Sequence, residues 1–396
     1  MIPISNALEI IERETFSLES ETVLLSNVLN RVLAENIVTD MDLPPFDRSQ
    51  MDGFAVKTDD VKNSPVKLKI VGESIAGRGW IGHVNSGEAV RIMTGASVPD
   101  GADSVQKVEL TEEIDGFITI QKPTKLHQNI VKKAAEMTKN TEVFKTGEIV
   151  TENMIATLAS FGYHSLKVAK RPKVTILATG TEIVDIRETP QKDQIRNSNS
   201  WMLRAFAEKT SDVKVLPIAQ DDLENLKNTI LKAVDSCDVL IISGGVSVGD
   251  YDFTKPALRE IGAEIFFKKI SLKPGKPTVF AKLDNTLIFG LPGNPVSIAV
   301  TFFVFVQMAL LLMQDSSSPH LKKGFAKLTH DVKATKGRDA LLPISVSTGK
   351  KGRLRVETLR FSGSSNFIRF AMANALLFIP QNRSLHKGDV AEILFL

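Results

Sequence analysis

Between residues 171 and 318, short apolar runs alternate with longer segments that carry apolar residues at helical spacing. Parallel strands need long crossover connections, and helices of this length provide them. The alternation therefore predicts a doubly wound α/β domain with a mainly parallel sheet. The predicted strands are residues 174–178, 213–218, 239–243, 265–270, 278–281 and 287–289, and the predicted helices are residues 200–209, 223–234 and 254–261.

The rest of the chain changes pattern three times. Apolar residues at helical spacing occur at 7–13, 24–33 and 150–162, whereas short alternating runs and Asp-Gly turns fill the stretch between Pro44 and about residue 135. A further run of short strands with glycine turns begins near residue 320. The pattern predicts a multidomain α/β plus β fold with four parts: a helical linker domain (1–43 plus 136–170), an inserted small β domain (44–135), the α/β domain (171–318) and a C-terminal β-barrel (319–396).

Composition narrows the class of protein. The 396 residues have a formal net charge of only +3, which by itself is too small to indicate nucleic acid or an anionic membrane as a partner, and we expect neither. The single cysteine, Cys237, excludes an internal disulfide framework and a cysteine-cluster metal site, and its apolar setting predicts an inert buried thiol. The N-terminus has no signal-peptide pattern, so we expect a cytoplasmic protein.

One segment needs weighing as a membrane span. Residues 296–313 are apolar except for a few polar positions. The length of this segment is at the lower limit for a transmembrane helix. The segment lacks a basic flank and an aromatic belt. A core helix that is apolar on all sides explains it as well, and we favour that interpretation.

The stretch after the run 239–243 is the most informative loop. Ser243, Gly244 and Gly245 are followed by Ser247 and Gly249, and then by acids that include Asp252. In open parallel sheets, ligands bind at the carboxyl ends of the strands, where glycines let the backbone approach a phosphate. The acids suit a divalent cation bound beside that phosphate. The alternative is a tight turn followed by ordinary helix-capping acids.

Other loops have the same character. Thr179, Gly180 and Glu182 follow one predicted strand, and Pro292, Asn294 and Pro295 follow another before the long apolar helix. Prolines also stiffen a loop that carries Lys273 and Lys276, which lowers the cost of ordering two cations around an oxyanion. The loops together predict a pocket for a phosphate-bearing ligand. They match neither the P-loop nor the Rossmann glycine pattern.

At this point the sequence resembles the molybdopterin molybdenumtransferases, that is, the MoeA proteins and the homologous gephyrin E-domain. The resemblance runs in order through nearly the whole chain. It is carried by seven motifs, at residues 44–55, 92–103, 179–182, 220–222, 243–252, 273–277 and 290–297.

The resemblance implies an elongated homodimer, with the active site between the α/β molybdopterin-binding domain of one subunit and the β domain of the other. It also implies a reaction in which adenylylated molybdopterin and molybdate give molybdenum cofactor and AMP, with Mg²⁺. The carboxylates of Asp52, Glu182, Asp221 and Asp252 resemble the family's metal or catalytic residues, Thr94 resembles its β-domain site threonine, and Lys273 and Lys276 resemble its oxyanion clamp.

Three departures and two alternative functions accompany the resemblance. Glu136 stands where the family usually has Asp, Phe54 where it has Tyr, and His127 where it often has Gly. A paralogue that prefers tungstate would be compatible with these changes. The alternatives are adenylylation of molybdopterin by ATP, and a non-catalytic scaffold of the gephyrin type. A separate molybdopterin adenylyltransferase is a candidate partner.

Overall fold

The structure, a computed structural model, describes residues 1–220, 222–246, 253–349, 352, 354–359 and 363–396. The chain divides into two compact units. The large unit comprises Met1–Glu35, Thr146–Ile155 and Ser165–Leu396, and the small unit comprises Asn36–Lys145 and Ala156–His164. The predicted limits of the four domains are finer than this division and stay a prediction.

The large unit contains a six-stranded sheet of the predicted doubly wound type. Four neighbouring strands are parallel, and two further strands at one side are added through antiparallel pairings. The order across the sheet is Asp212–Val215, Lys173–Ala178, Val239–Ser243, Thr286–Leu291, Val279–Leu283 and Glu264–Phe267.

Alternate residues of the central strands face opposite sides of this sheet. Val239 and Ile241 pack into one apolar core, and Leu240 and Ile242 pack into another. Helices Ser198–Ala207 and Pro295–Thr301 cover the first side, and helices Leu223–Val234 and Thr254–Glu260 cover the second. Both faces are therefore buried, which explains why these strands are continuous apolar runs.

The long apolar segment is a core helix. Pro295–Thr301 continues through a π-helical stretch, Phe302–Val306, into Gln307–Leu312. Its 18 residues have a mean hydropathy of 2.2, enough by length and composition to cross a membrane, yet 78% of the segment is buried inside the fold. It packs in the same core as Ala7 and Ile11 of the N-terminal helix Ile4–Glu14. The core-helix interpretation is confirmed.

The C-terminal sheet closes on itself, as predicted for a barrel. Five strands form the ring because the first strand pairs with the second and also with the last. Around the ring they are Asp339–Thr348, Leu354–Thr358, Lys323–Leu328, Val390–Phe395 and Ala375–Ile379. A short helix, Phe367–Phe370, precedes the last of these, and Leu272–Lys273 adds to the strand Asp339–Thr348.

The prediction of a helix at residues 24–33 is wrong. Ser20–Leu24 is a strand that pairs antiparallel with Ser165–Ala169, and only Leu25–Asn27 forms a short 3₁₀ turn. Asn30 then takes a left-handed backbone conformation, at φ 62°, that no α-helix continues. Pairing with a distant strand overrides the local helical spacing here. The helix predicted at 150–162 is present as Glu152–Ser160.

The small unit is built on strands, as predicted for the inserted region. Its main sheet has six strands in the order Ser104–Lys107, Gly53–Val56, Glu88–Ile92, Val66–Ser74, Phe117–Ile120 and Thr111–Ile114. Two short ladders, two 3₁₀ turns and a buried core complete the unit. The ladders join Arg48–Ser49 with Ile130–Val131 and Ile37–Val38 with Glu142–Phe144, and the turns are Thr58–Val61 and Val108–Leu110.

Candidate active site

Three loops begin at the same level of the large unit's sheet. Ala178 lies beside Ser243 and Ser243 lies beside Leu291 in neighbouring parallel strands. Two main-chain hydrogen bonds then join the loops: Thr179 N–H donates to the Ser243 carbonyl at 3.0 Å, and Gly244 N–H donates to the Leu291 carbonyl at 3.1 Å. The structure thus brings the three predicted glycine loops together at the carboxyl ends of the strands, where open α/β sheets bind ligands.

Glycine is required where the loops meet. Gly244 and Gly245 have left-handed backbones, at φ 98° and 61°. A Cβ on Gly244 would lie 2.6 Å from the Thr179 carbonyl oxygen, and one on Gly245 would lie 3.0 Å from the Thr179 hydroxyl. Any side chain at these positions would push the first loop away from the second.

A cavity of about 940 Å³ lies over these loops, which we call the glycine-loop cavity. Of the residues predicted to bind the ligand, it is lined by Thr179, Gly180, Glu182, Ser243, Gly244, Gly245, Pro292, Asn294 and Pro295. Asp221, Ser247, Gly249 and Asp252 lie outside the described residues.

Three oxygens in the lining of this cavity are buried and have no hydrogen-bond partner within the described part of the chain. They are Thr179 Oγ1, Ser243 Oγ and Asn199 Oδ1, in residues only 3%, 1% and 8% exposed. Buried polar atoms nearly always have a partner, because an unpaired one costs about 1–3 kcal/mol. Three such atoms around one cavity make Thr179, Ser243 and Asn199 candidates for binding a polar ligand.

Asn199 is a candidate that the sequence reasoning missed. It lies in the first turn of helix Ser198–Ala207, where Asn197 caps the helix by accepting the N–H of Ser200 at 3.1 Å. Its amide nitrogen donates to the Gly293 carbonyl at 2.7 Å, which fixes the side chain against the third loop. The signal in the sequence was the Asn-Ser-Asn triplet at the start of a helix that follows the first glycine loop.

Glu182 presents a carboxylate at the edge of the same cavity. The residue is exposed, and its Oε2 atom lies 2.5 Å from where a Cβ of Gly180 would stand. Within the described ranges no group of three His, Cys, Asp or Glu residues is arranged to hold a metal ion. Two of the predicted metal ligands lie outside those ranges.

The two predicted lysines line a neighbouring cavity of about 660 Å³, which we call the lysine cavity. Lys273 and Lys276 are exposed, and neither forms an ion pair with a described residue. Pro277, Pro292 and Asn294 form a wall shared with the glycine-loop cavity. An anion bound at this shared wall would therefore lie close to both the glycine loops and the two lysines.

Two further cations of the lysine cavity were not foreseen. Lys333 and Arg338, which belong to the C-terminal region, also line it. The lysine loop was expected between two strands of the α/β domain, whereas strand Leu272–Lys273 pairs with the barrel strand Asp339–Thr348. This pairing places the lysine loop beside Asp339 and Ala340, next to Arg338, and no local sequence pattern reports it.

Asp52 and Thr94 lie together in the small unit. The main-chain N–H and the hydroxyl of Thr94 both donate to Oδ1 of Asp52, at 2.6 and 2.7 Å. The bond from the Thr94 N–H, with that from its hydroxyl, lowers the pKa of the Asp52 carboxyl below its ordinary value. Both residues are exposed, so the pair presents an ionised carboxylate at the surface of the unit.

The three departures have simple structural settings in the small unit. Glu136 forms an ion pair with Arg48 at 3.0 Å. Phe54 is buried, with the Arg91 guanidinium 4.9 Å from its ring centre. His127 has a left-handed backbone, at φ 62°, which explains why glycine is common there in the resembling family.

Three family models match successive parts of the chain. Residues 2–162 match the MoeA N-terminal region (domain I and II), residues 175–312 match a probable molybdopterin binding domain, and residues 326–396 match the MoeA C-terminal region (domain IV).

Whole-length relatives agree with these matches. The molybdopterin molybdenumtransferase of Staphylococcus aureus (strain MSSA476) is 33% identical, over 99% of this chain and 95% of its own length. That of Haemophilus influenzae is 34% identical, over 97% and 96%. A solved MoeA protein from Pyrococcus horikoshii superposes with a TM-score of 0.82 at 32% identity, covering 100% of this chain and 99% of its own. The chain belongs to the MoeA family of molybdopterin molybdenumtransferases.

Proposed function

We propose that this chain inserts molybdate into adenylylated molybdopterin and releases AMP, giving molybdenum cofactor. The observation that carries the proposal is a cavity lined by three buried oxygens that lack a partner among the described residues. It adjoins two lysines that form no ion pair within the same part of the chain. The relatives are named for molybdenum transfer to molybdopterin, and the chain spans nearly their full length.

The substrate has parts that match these groups. A pyrophosphate needs hydrogen-bond donors, and the hydroxyls of Thr179 and Ser243, which have no partner among the described residues, can supply them. Molybdate is an oxyanion, and Lys273 and Lys276 supply positive charge in the adjoining cavity. We assign pyrophosphate binding to the glycine loops and molybdate binding to the lysines.

Mg²⁺ suits the oxygen donors proposed for it. Glu182 places an exposed carboxylate at the edge of the glycine-loop cavity, and carboxylates are the ligands that Mg²⁺ prefers. We propose that Glu182, Asp221 and Asp252 would hold the ion, which would neutralise charge that develops on the leaving phosphate. The Oδ2 atom of Asp52, which has no partner among described residues, is the remaining proposed ligand.

We further propose that the protein works as a cytoplasmic homodimer. The Asp52–Thr94 pair is exposed at the surface of the small unit, which supports a role at a site completed by the partner subunit. A molybdopterin adenylyltransferase is a candidate partner because it would supply the substrate. Neither adenylylation as the chain's own activity nor a purely structural role is favoured by any observation on the described residues.

The direct test is to incubate the purified full-length chain with adenylylated molybdopterin, Mg²⁺ and molybdate. We expect AMP to be released in step with molybdate insertion, and both to stop in the Lys273→Ala/Lys276→Ala variant. Lys282→Ala, which removes a lysine from elsewhere in the same α/β domain, is the matched control and should retain activity. No AMP and no cofactor from the wild-type chain would reject the proposed function.

A further inference from the structure

Charge is distributed unevenly along this chain, although its net value is only +3. Residues 319–396, which contain the C-terminal barrel, have 14 Lys and Arg but only 5 Asp and Glu, a formal net charge of +9. Residues 1–318 have 35 Lys and Arg against 41 Asp and Glu, a formal net charge of −6. Such asymmetry is typical of proteins whose basic region binds an anionic partner, so the net charge of the whole chain is a poor guide to this region.

One outer surface of the barrel combines cations with apolar side chains. In strand Lys323–Leu328, every second residue faces outward and is exposed. The strands on either side each add an exposed residue that is paired with Lys327. We call these five residues the barrel patch: Lys323, Phe325, Lys327, Arg355 and Val390.

Two cations of the barrel patch form no ion pair within the described part of the chain. Lys323 pairs with Glu392 at 3.2 Å, whereas Lys327 and Arg355 are left uncompensated. The pairing of their strands places these two like charges side by side, which is unfavourable in a sheet. An anionic surface bound over them would remove this repulsion, so the two cations favour an anionic partner.

The barrel patch also contains an exposed apolar pair. Phe325 is 67% exposed and Val390 is 68% exposed, and the strand register places them diagonally on the same outer face. Diagonal neighbours in a sheet lie close enough for long or aromatic side chains to touch. Apolar side chains flanked by Lys and Arg are typical of surfaces that enter the interface of a membrane, where the cations meet the headgroups.

We propose that the barrel patch attaches this protein peripherally to a membrane surface that contains anionic lipids. Phe325 and Val390 insert between the headgroups, and Lys327 and Arg355 pair with lipid phosphates. The region of net charge +9 is attracted to such a surface and the remainder, of −6, is repelled, so the barrel faces the lipid. The inference is independent of the proposed function, because no residue of the barrel patch lines the glycine-loop cavity or the lysine cavity.

Single-stranded nucleic acid is the other anionic macromolecule that binds exposed aromatic residues among cations, because its bases stack on the rings. The barrel patch has one aromatic ring, that of Phe325, and the aliphatic side chain of Val390 beside it offers no surface for stacking. Both side chains can enter a lipid interface. The apolar pair therefore favours lipid over nucleic acid.

The test measures co-sedimentation of the full-length chain with vesicles of phosphatidylcholine, alone or mixed with phosphatidylglycerol. We expect binding only to the mixed vesicles, and release when the salt concentration is raised, because salt screens the attraction. Lys327→Ala/Arg355→Ala should lower the partition coefficient about tenfold or more. Lys336→Ala/Arg383→Ala is the matched control, since it removes the same charge from exposed positions outside the barrel patch, and it should lose less than about threefold.

A further variant tests the apolar pair. Phe325→Ala/Val390→Ala keeps the charge and should weaken binding to the mixed vesicles about tenfold or more, with an unchanged circular dichroism spectrum because both side chains are exposed. Absence of binding to the mixed vesicles by the wild type, or equal losses in the two charge variants, would overturn the proposal. Binding of a single-stranded oligothymidylate in place of the vesicles would also overturn it, since that result would identify a nucleic-acid surface.

Discussion

Thr94 donates two hydrogen bonds to a single carboxylate oxygen of Asp52, one from its main-chain N–H at 2.6 Å and one from its hydroxyl at 2.7 Å. The residues are 42 positions apart, and the strands Gly53–Val56 and Glu88–Ile92, which pair antiparallel, bring them together. The pair lowers the pKa of Asp52 and holds the carboxylate in one orientation. An Asp52 that served only to form a turn would not need these hydrogen bonds from a residue 42 positions away.

For Thr94→Val we expect the pKa of Asp52 to rise toward its ordinary value, because the hydroxyl bond to the charged form is lost while the main-chain bond remains. Lowering of a carboxyl pKa by folding contributes stability above the pKa of the unfolded chain, and that contribution disappears as the pH falls through the folded-state value. The side-chain carboxyl shift of Asp52, followed by NMR between pH 2 and 6, measures the change. Thr94→Ser is the control and should keep the low value; an equal rise in both variants would contradict the hydroxyl's role.

For Asp52→Ala we expect turnover to fall about 100-fold or more, because a charged group proposed for the active site is removed. The fold should be retained, because the side chain is exposed and supports no core. The rate of AMP release and the circular dichroism spectrum measure the two effects. Asp59→Ala, which removes another exposed acid from the same unit, should leave the rate unchanged. Full turnover in Asp52→Ala would remove this residue from the site.

Cys237 gives a pH dependence with a definite sign. Burial raises the pKa of its thiol to about 11 from an ordinary 9.0. Between these values the unfolded chain ionises its thiol and the folded chain does not, so the free energy of unfolding should decrease as the pH rises through this window. Below pH 9 no such loss is expected.

Denaturant titrations at pH 8, 9 and 10 compare the wild type with Cys237→Ala, which lacks the thiol and should show a smaller decrease. In the native state the thiol should also resist modification at pH 8, since the thiolate is the reactive form. Rapid modification of the folded protein would show that the thiol is not buried as described.

Gly244→Ala should destabilise the protein and disturb the glycine loops. The left-handed backbone alone costs about 1 kcal/mol for a residue with a Cβ, and the contact with the Thr179 carbonyl at 2.6 Å brings the expected total to about 1–3 kcal/mol. Gly262→Ala is the matched control because Gly262 has φ 80° but open space around its Cβ position. Thermal unfolding should show the larger loss for Gly244→Ala; equal losses would mean that the close approach of the loops has no energetic weight.

Much of this architecture can be predicted from the sequence because its elements are locally encoded. Leu223–Val234 and Val239–Ser243 have the predicted limits, since a helix cap by Asp222 and a fully apolar strand are both local signals. The glycine loops are placed correctly at one sheet edge because parallel strands necessarily align their carboxyl ends.

The parts that could not be predicted depend on contacts between distant segments. Residues 24–33 lack their expected helix because the preceding strand pairs with a partner about 140 positions away. Arg338 lies in the lysine cavity because Leu272–Lys273 pairs with the barrel strand Asp339–Thr348. The role of Asn199 depends on a hydrogen bond to Gly293, 94 positions later in the chain. Spacing within a short window contains no information about any of these pairs.

The most direct measurement compares stability and pyrophosphate binding in the double variant Thr179→Val/Ser243→Ala. If the two buried hydroxyls are kept for a ligand, removing them should leave the free energy of unfolding unchanged or raise it by up to about 1 kcal/mol, because an unpaired polar atom is lost from the interior. The same variant should bind pyrophosphate about tenfold more weakly or worse in calorimetry. A variant that is less stable but binds pyrophosphate as tightly as the wild type would show that these hydroxyls serve the fold, and would contradict a phosphate site on the glycine loops.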